Sequence, residues 1–420
     1  MSLRLGAIAD DFTGASDLAG TLVKQGVNVT LVIGLPDEAT QTGDAGAVVI
    51  ALKTRTVEPQ QAVSESLTAL RWLESRGAQQ FFFKYCSTFD STPAGNIGPV
   101  CDALMQALDC DFAFLCPAYP GNGRTVSEGK LYVGEQLLSE SPMKDHPLTP
   151  MRDASLVRVM DAQSTRRSGL IPLQQVREGK AAVTEAVEAL RSRGFAYGVV
   201  DAVSDEDLLT IGAAAADHRL VTGGAGIAMG LAGSLGQAGS EYNSNALPRG
   251  RGRELVLAGS CSAATRAQVA VAKKAWPARR VDVDALAAGA DVADELVAWA
   301  QEQDPTSPVL IYASADPEEV SRIQQRHGVE AAGAMIEEVM GEVARRLVSD
   351  GFRRLVVAGG ETSGAVVSAL DIRALRIGSE IDPGVPWTGT LDDRDIAIAL
   401  KSGNFGSEDF FDKAFRMLRN

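Results

Sequence analysis

The stretch VAGGETSGAVV, Val357–Val367, decides how the chain is read. An apolar run, Leu355–Ala358, ends in Gly359 and Gly360, and Glu361, Thr362, Ser363 and Gly364 lead into an apolar segment with helical character. A buried strand, a glycine turn and a helix start form the layout by which α/β proteins hold phosphates on backbone N–H groups. The stretch is neither GxGxxG nor GxxxxGK[ST], and the latter occurs nowhere in the chain, which excludes a P-loop. Taken alone, it is equally a phosphate turn or a tight structural turn.

Two further turns of this kind flank it. AGSCSAATRAQ, Ala258–Gln268, places small residues and hydroxyls where a strand passes into a helix, with a serine helix cap as the alternative. ALKSGNFG, Ala399–Gly406, ends a late strand in serine and glycine. Three such turns in one half of the chain make a credible nucleotide pocket. IGSEIDPGVPW, Ile377–Trp387, reads as a rigid Pro/Gly loop that adds Glu380 and Asp382, for a metal, for the transfer point or simply for the turn. TGGAGIAMG, Thr222–Gly230, gives GxGxxxG with no acid at the dinucleotide spacing, so close strand–helix packing is the better reading.

Alternation continues along the whole chain. Leu3–Ala9, Val27–Ile33, Ala47–Leu52, Gln80–Tyr85, Phe112–Cys116 and Tyr197–Val200 read as strands. Asp17–Gln25, Pro59–Arg76, Ile97–Leu108 and Asp205–Ala216 read as helices. After the polar, Pro/Gly-containing stretch SEYNSNALPRGRGR, Ser240–Arg253, the pattern restarts: strands at Glu254–Leu257, Val309–Ala313, Arg354–Ala358 and Asp395–Lys401, helices at Ala263–Ala275 and Ala331–Val348. The expected fold class is α/β in two domains, each a mostly parallel sheet flanked by helices, with the active site in the interdomain cleft. The boundaries are 1–240 for the first domain, 241–253 for a linker and 254–420 for the second. Pro117–Pro150 reads as a long loop; with Asn122, Arg124, Lys130 and His146 it is either a lid or a packing arm.

The first half carries its chemistry at successive strand ends. ADDFTGASD, Ala9–Asp17, sets two adjacent carboxylates after the first strand, and helix capping accounts readily for only one of them. ALKTRT, Ala51–Thr56, brings Lys53 and Arg55. KYCSTFDSTPAGNIG, Lys84–Gly98, brings Lys84, Ser87, Thr88, Asp90 and Ser91. Acids, hydroxyls and a guanidinium at adjacent strand ends suit a small polyhydroxy acid, whereas any one of them alone is as easily part of a solvated rim.

Composition narrows the partners. With 420 residues, 45% hydrophobic and 22% charged, the chain is long enough for two or three domains. A net charge of −14 argues against a nucleic-acid partner but not against small anions held locally. No apolar run spans a bilayer and no secretory signal is seen, so a cytoplasmic protein with no membrane partner is expected. The cysteines Cys86, Cys101, Cys110, Cys116 and Cys261 form no CxxC and read as reduced thiols; with three histidines, a zinc site is not indicated and metal ligands stay unassigned.

Together, ADDFTGASDLAG, ALKTRT, KYCSTFDSTPAGNIGPV, NGRTV with LSESPMKDHPLTPM, LVLAGSCS, VAGGETSGAVV, GSEIDPGVPW and LKSGNFG resemble the four-carbon acid sugar kinase family, formerly a domain of unknown function. The likeness is strongest to its 3-oxo-tetronate kinase branch, and it runs in order from Leu5 to Phe411. It implies a sugar-acid-binding N-terminal domain, a nucleotide-binding C-terminal domain, and ATP-dependent phosphorylation of the O4 hydroxyl of a 3-oxo-tetronate. Carried over, it implies ATP contacts at Ser260, Gly360, Glu361, Thr362, Ser363 and Gly403, and sugar-acid contacts at Asp10, Asp11, Arg55, Lys84 and Asp90. Arg124 is added as a candidate substrate contact. Arg55 is expected to take the substrate carboxylate, and Asp11 to act as base, with Asp382 as its rival. Mg²⁺ is expected with ATP. Closure about Ser240–Arg253 is expected to exclude water, and a homodimer is left open. The alternatives are a kinase of the same family acting on D-threonate or D-erythronate, and a two-lobed sugar-acid-binding protein without catalysis.

Overall fold

The computed structural model describes residues 3–146, 148–235, 248, 250–315 and 317–419. The chain divides into two compact units, Met1–Ser244 and Asn245–Asn420. Most of the expected linker, 241–253, lies outside the described residues.

The first unit opens with β1 (Leu5–Ala9), α1 (Phe12–Lys24), β2 (Val29–Ile33), β3 (Ala47–Ala51), α2 (Pro59–Ser75), β4 (Gln80–Lys84), α3 (Ile97–Ala107) and β5 (Ala113–Cys116). It continues through β6 (Arg124–Ser127), β7 (Lys130–Val133), β8 (Gln136–Leu137), α4 (Leu156–Gln163), β9 (Ser168–Ile171), α5 (Leu173–Arg177) and α6 (Lys180–Ser192). It closes with β10 (Tyr197–Val200), α7 (Asp205–Ala215), β11 (Leu220–Gly223) and α8 (Ala228–Leu235). The main sheet runs β2–β3–β1–β4–β11–β5–β10–β9, with every pairing parallel. A parallel sheet covered on both faces needs strands apolar on both sides, and every residue of β1, β3 and β4 is buried. Their carboxyl ends therefore open side by side at one edge of the sheet.

Three expectations change in this unit. The first helix starts at Phe12 rather than Asp17, because Asp11 caps it by accepting from Gly14 N at 3.0 Å. The segment read as a loop folds as an antiparallel β6–β7–β8 sheet, its short strands joined by turns at Gly129 and Gly134 with positive φ. The stretch 151–196, left without elements, holds α4, β9, α5 and α6. The TGGAGIAMG reading stands: a Cβ on Gly224 would lie 2.6 Å from the Pro117 carbonyl, and one on Gly230 2.7 Å from the Gly212 Cα. These glycines permit close packing.

The second unit comprises β12 (Arg253–Ala258), α9 (Ala263–Ala272), β13 (Ala278–Arg280), α10 (Val283–Ala287), α11 (Val292–Gln301), β14 (Val309–Tyr312), α12 (Pro317–His327) and α13 (Val329–Ser349). Then follow β15 (Phe352–Ala358), α14 (Gly360–Ala369), β16 (Ala374–Asp382), β17 (Val385–Thr390), β18 (Ala397–Lys401) and α15 (Phe410–Arg419). The order is β13–β14–β12–β15–β18–β17–β16; the first four pairings are parallel and the last two antiparallel. One core sets Val256, Val356 and Ala399 against Trp387, Phe410, Phe411 and Phe415, and the indole N–H of Trp387 donates to the Ala414 carbonyl at 3.0 Å. The expected Pro/Gly loop at Ile377–Trp387 is instead the β16–β17 hairpin. Asp382 faces Val385 in register, and Pro383–Gly384 make its turn, Gly384 at φ +81.

Candidate active site

In the first unit, Asp10, Asp11, Arg55, Lys84 and Asp90 converge beyond the ends of β1, β3 and β4. The Asp10 carbonyl accepts from Thr54 N at 2.9 Å and Arg55 N at 3.2 Å, so the chain after β3 wraps the end of β1. Asn96, 7% exposed, holds that wrap by donating to the carbonyls of Thr54 at 2.7 Å and Val57 at 2.8 Å. The Arg55 guanidinium then lands on the acids. Nε and Nη2 form a bidentate pair with Asp10 at 2.9 and 2.8 Å, Nη2 also reaches Asp11 Oδ1 at 2.6 Å, and Nη1 stands 3.5 Å from Asp90 Oδ2. Burial pushes the Asp10 carboxyl up while Arg55 pulls it back; burial also works against the charge of Arg55, but Asp10 and Asp11 hold the guanidinium above its usual range.

Asp11 serves two partners through Oδ1, which takes Gly14 N and Arg55, while Oδ2 accepts no hydrogen bond from the described residues. The side chain is 28% exposed. Asp90 is fixed by the Thr88 hydroxyl at 2.7 Å on a backbone where Phe89 and Asp90 both have positive φ, 65° and 46°. Lys84 is buried and donates to the Tyr85 carbonyl at 2.7 Å. Cys86 beside this cluster is a thiol: burial pushes it up to about 11. Arg124 stands on β6, where it donates to the Asn122 carbonyl, and no described contact joins it to the cluster. Asp382, on β16 of the second unit, is committed. Oδ2 accepts from Ser407 N at 2.8 Å and Ser407 Oγ at 2.9 Å, and Oδ1 pairs with Lys413. Burial would raise it, but Lys413 and Ser407 hold it below the usual carboxylate range.

In the second unit, the three glycine/serine turns follow β12, β15 and β18, which are neighbours in the sheet. The turns are stitched together: Gly259 N and Ser260 N donate to the Ala358 carbonyl at 3.0 and 3.1 Å, and Gly359 N to the Lys401 carbonyl at 2.9 Å. Gly359 has φ +130, and a Cβ there would lie 3.0 Å from the Thr362 hydroxyl and 3.1 Å from Ser260 N. Gly360, the first residue of α14, would point a Cβ into open space. The first N–H groups of α14 have no partner within the helix, which begins only with Ser363 N bonding to the Gly359 carbonyl at 2.9 Å. Unpartnered N–H groups at a helix start can take an anion.

The side chains divide the work. Glu361 is exposed, whereas Thr362 and Ser363 are buried, and the Ser363 hydroxyl has no partner among the described residues. Ser262 caps α9 through Thr265 N at 3.2 Å and donates to the Gly403 carbonyl at 2.6 Å. Among the described residues Ser260 Oγ accepts only from Ser262 N, at 3.2 Å, which leaves its proton for a ligand. The serine-cap reading and the ligand reading thus fall on different serines of AGSCS. Residues the sequence reading missed are Asn96, Thr265, Gln268 and Lys401. Ser262, Thr265 and Gln268 recur at spacing three along α9, and Lys401 ends an apolar run, AIALK; those were the available signals.

The chain matches the models of a sugar-binding N-terminal domain over residues 5–231 and of a nucleotide-binding C-terminal domain over residues 255–411. It is 53% identical over 422 residues to a 3-oxo-tetronate kinase of Pseudomonas fluorescens Pf-5, covering 99% of this chain and 97% of that protein. It is 53% identical over 420 residues to a 3-oxo-tetronate kinase of Cupriavidus necator H16, with the same coverage. A crystal structure from Salmonella typhimurium LT2, provisionally named a tRNA synthase, superposes with a TM-score of 0.90 at 45% identity, over 98% of this chain and 99% of that one. Haemophilus influenzae protein HI1011 superposes with a TM-score of 0.88 at 42% identity, over 98% of this chain and 100% of that one.

Proposed function

The chain belongs to the four-carbon acid sugar kinase family, and from that premise we propose that it is a 3-oxo-tetronate kinase, moving the γ-phosphoryl group of ATP to the substrate O4 hydroxyl. The observation that carries this reading is the trio of stitched turns at the ends of β12, β15 and β18, ending on the open N-terminus of α14. It is a phosphate cradle in the unit that matches a nucleotide-binding domain. The acid cluster in the other unit supplies the acceptor side.

The substrate hydroxyls meet Asp10, Asp11 and Asp90, which accept hydrogen bonds, and the substrate carboxylate meets Arg55 through Nη1. That edge is the one held least, at 3.5 Å from Asp90. Lys84 adds a second cation, and Arg124 is a further candidate contact from the hairpin. Asp11 Oδ2 takes the O4 proton as the new O4–P bond forms and the bond from the γ-phosphorus to ADP breaks, ADP leaving with the electron pair. Asp382 is the weaker base, since both its oxygens are committed to Ser407 and Lys413. On the donor side, Ser260, the backbone of Gly360, Glu361, Thr362 and Ser363, and Gly403 bind ATP.

Mg²⁺ would arrive on the nucleotide and neutralise phosphate charge. Among the described residues no group of three or more His, Cys, Asp or Glu side chains could hold an ion by itself. The exposed carboxylate of Glu361, on the phosphate turn, is a donor that fits a metal already carried by phosphates. We place the enzyme in the cytoplasm, a reading supported by five unpaired cysteines and by the absence, among the described residues, of a helix long and apolar enough to cross a membrane. An RNA partner is disfavoured by the net charge of −14.

A coupled ADP-release assay with ATP and a panel of four-carbon acids tests the reading. The expected order puts 3-oxo-tetronate above D-threonate and D-erythronate; preference for either of the latter moves the enzyme to another branch of its family. Ligand binding without ADP release points to a non-catalytic binder. Asp11→Asn is expected to cut kcat at least about a hundredfold with sugar-acid affinity kept within severalfold, and Asp382→Asn to cost stability more than turnover. Near-normal turnover of Asp11→Asn removes Asp11 as the base.

A further inference from the structure

Lys401 is 1% exposed and lies at the end of β18, directly before the third turn. Its ammonium spends its three N–H bonds on neutral acceptors: the Thr265 hydroxyl at 3.0 Å, the Ser402 carbonyl at 3.1 Å and the Gly403 carbonyl at 3.0 Å. No carboxylate among the described residues pairs with it. A buried cation without a counter-ion is costly, and a protein that only needed to fill this space would place an apolar side chain here.

The bonds dictate the shape of the turn. A trans peptide unit points its carbonyl oxygen and its N–H in opposite directions. With the Ser402 and Gly403 carbonyls both drawn onto one ammonium, the N–H groups of Gly403 and Asn404 point away from it. Neither donates to a described protein group. Two successive N–H groups on one side of a turn make an anion-binding concavity. The same inward grip continues along α9. Ser262 at 2.6 Å and Thr265 at 2.8 Å also donate to the Gly403 carbonyl, and Gln268 Nε2 donates to the carbonyls of Phe405, Gly406 and Ser407 at 3.0, 3.0 and 2.9 Å. One face of α9 and one lysine thus hold the loop by its carbonyls.

We propose that Lys401 is a positioning residue for the nucleotide phosphates, turning the Gly403 and Asn404 N–H groups outward and backing them with a positive charge that the bound polyphosphate completes. It takes the place of the lysine this chain lacks for want of a P-loop, from beneath the turn rather than by touching the phosphate. The proposal rests on the second unit being the nucleotide site. Depression of the Lys401 pKa by burial to about 8 agrees with a charge that no carboxylate among the described residues offsets.

The test is calorimetric binding of ATP and of adenosine to the full chain, for wild type, Lys401→Met and Thr265→Val, with thermal melting as the check on folding. Lys401→Met is expected to weaken ATP by about tenfold or more while adenosine stays within about twofold. In turnover assays KM for ATP rises by a similar factor while KM for the sugar acid holds. Unchanged ATP affinity in folded Lys401→Met overturns the proposal, and so does an equal loss for adenosine, which would mark a general collapse of the pocket. If Lys401→Met does not fold, Thr265→Val decides. A loss of about threefold for ATP alone supports the relay through Gly403, and no loss overturns it. Wild-type protein that binds no ATP overturns the reading beneath the proposal, an outcome distinct from all of these.

Discussion

At the scale of single residues, a half-buried cation and a buried one organise the two units in opposite ways. Arg55 is surrounded by carboxylates, and Lys401 by none among the described residues. Removing Arg55 as Arg55→Met leaves Asp10, 6% exposed at its side chain, without its counter-ion. The expected cost is about 3 kcal/mol in urea unfolding, together with loss of turnover. Lys401 gives a pH prediction whose sign follows from its lowered pKa. The folded pKa is about 8 against an ordinary 10.5, so between these values the unfolded chain binds more protons and stability rises with pH. Below about pH 8 the full cost of burying the charge, on the order of 3 kcal/mol, is present. Relative to Lys401→Met, which has no such titration, wild type is expected to gain stability in chemical denaturation from pH 8 to 10.5 in the absence of nucleotide. A gap independent of pH in that window contradicts the burial of an unpaired ammonium.

At the scale of elements, the start of α14 separates shape from binding. Gly359 needs its positive φ and has Thr362 and Ser260 within about 3 Å of a would-be Cβ, whereas Gly360 faces open space in a helical conformation. Gly359→Ala is expected to lose about 1–3 kcal/mol and ATP binding together. Gly360→Ala should keep or slightly raise the melting temperature and yet raise KM for ATP, because its methyl would enter the space that the proposed reading gives to the phosphates. The strands that position these turns were legible because a two-faced parallel strand is an unbroken apolar run, as in AVVIA and LVVA. What was not legible lacks that signature. Strand β13 is ARR, at an edge. The β6–β8 strands are four residues or fewer and half-exposed, and the β16–β17 hairpin carries Pro383, Gly384 and Pro386 among its apolar residues. In the site, strand-end acids could be read because their neighbours in sequence share their place. Asn96, Gln268 and Lys401 act on backbone carbonyls brought near only by folding, a role no spacing announces.

At the scale of the whole molecule, matches to a sugar-binding and a nucleotide-binding domain occur in one chain, with a cluster of acids around Arg55 in the first unit and three stitched glycine/serine turns in the second. Each unit has its own charge pattern. On the proposed reading, the acids bind hydroxyls and take a proton, and backbone N–H groups over a buried lysine bind phosphates. Both patterns sit at the carboxyl ends of parallel strands, where the helix starts supply N–H groups and caps. The most direct measurement of the central claim is phosphorus NMR of a reaction containing the enzyme, ATP, Mg²⁺ and 3-oxo-tetronate. The account predicts one equivalent of ADP for each new phosphate monoester, with the ester phosphorus coupled to the C4 protons. ADP formed without a monoester, a monoester on another oxygen, or no consumption of ATP would contradict it.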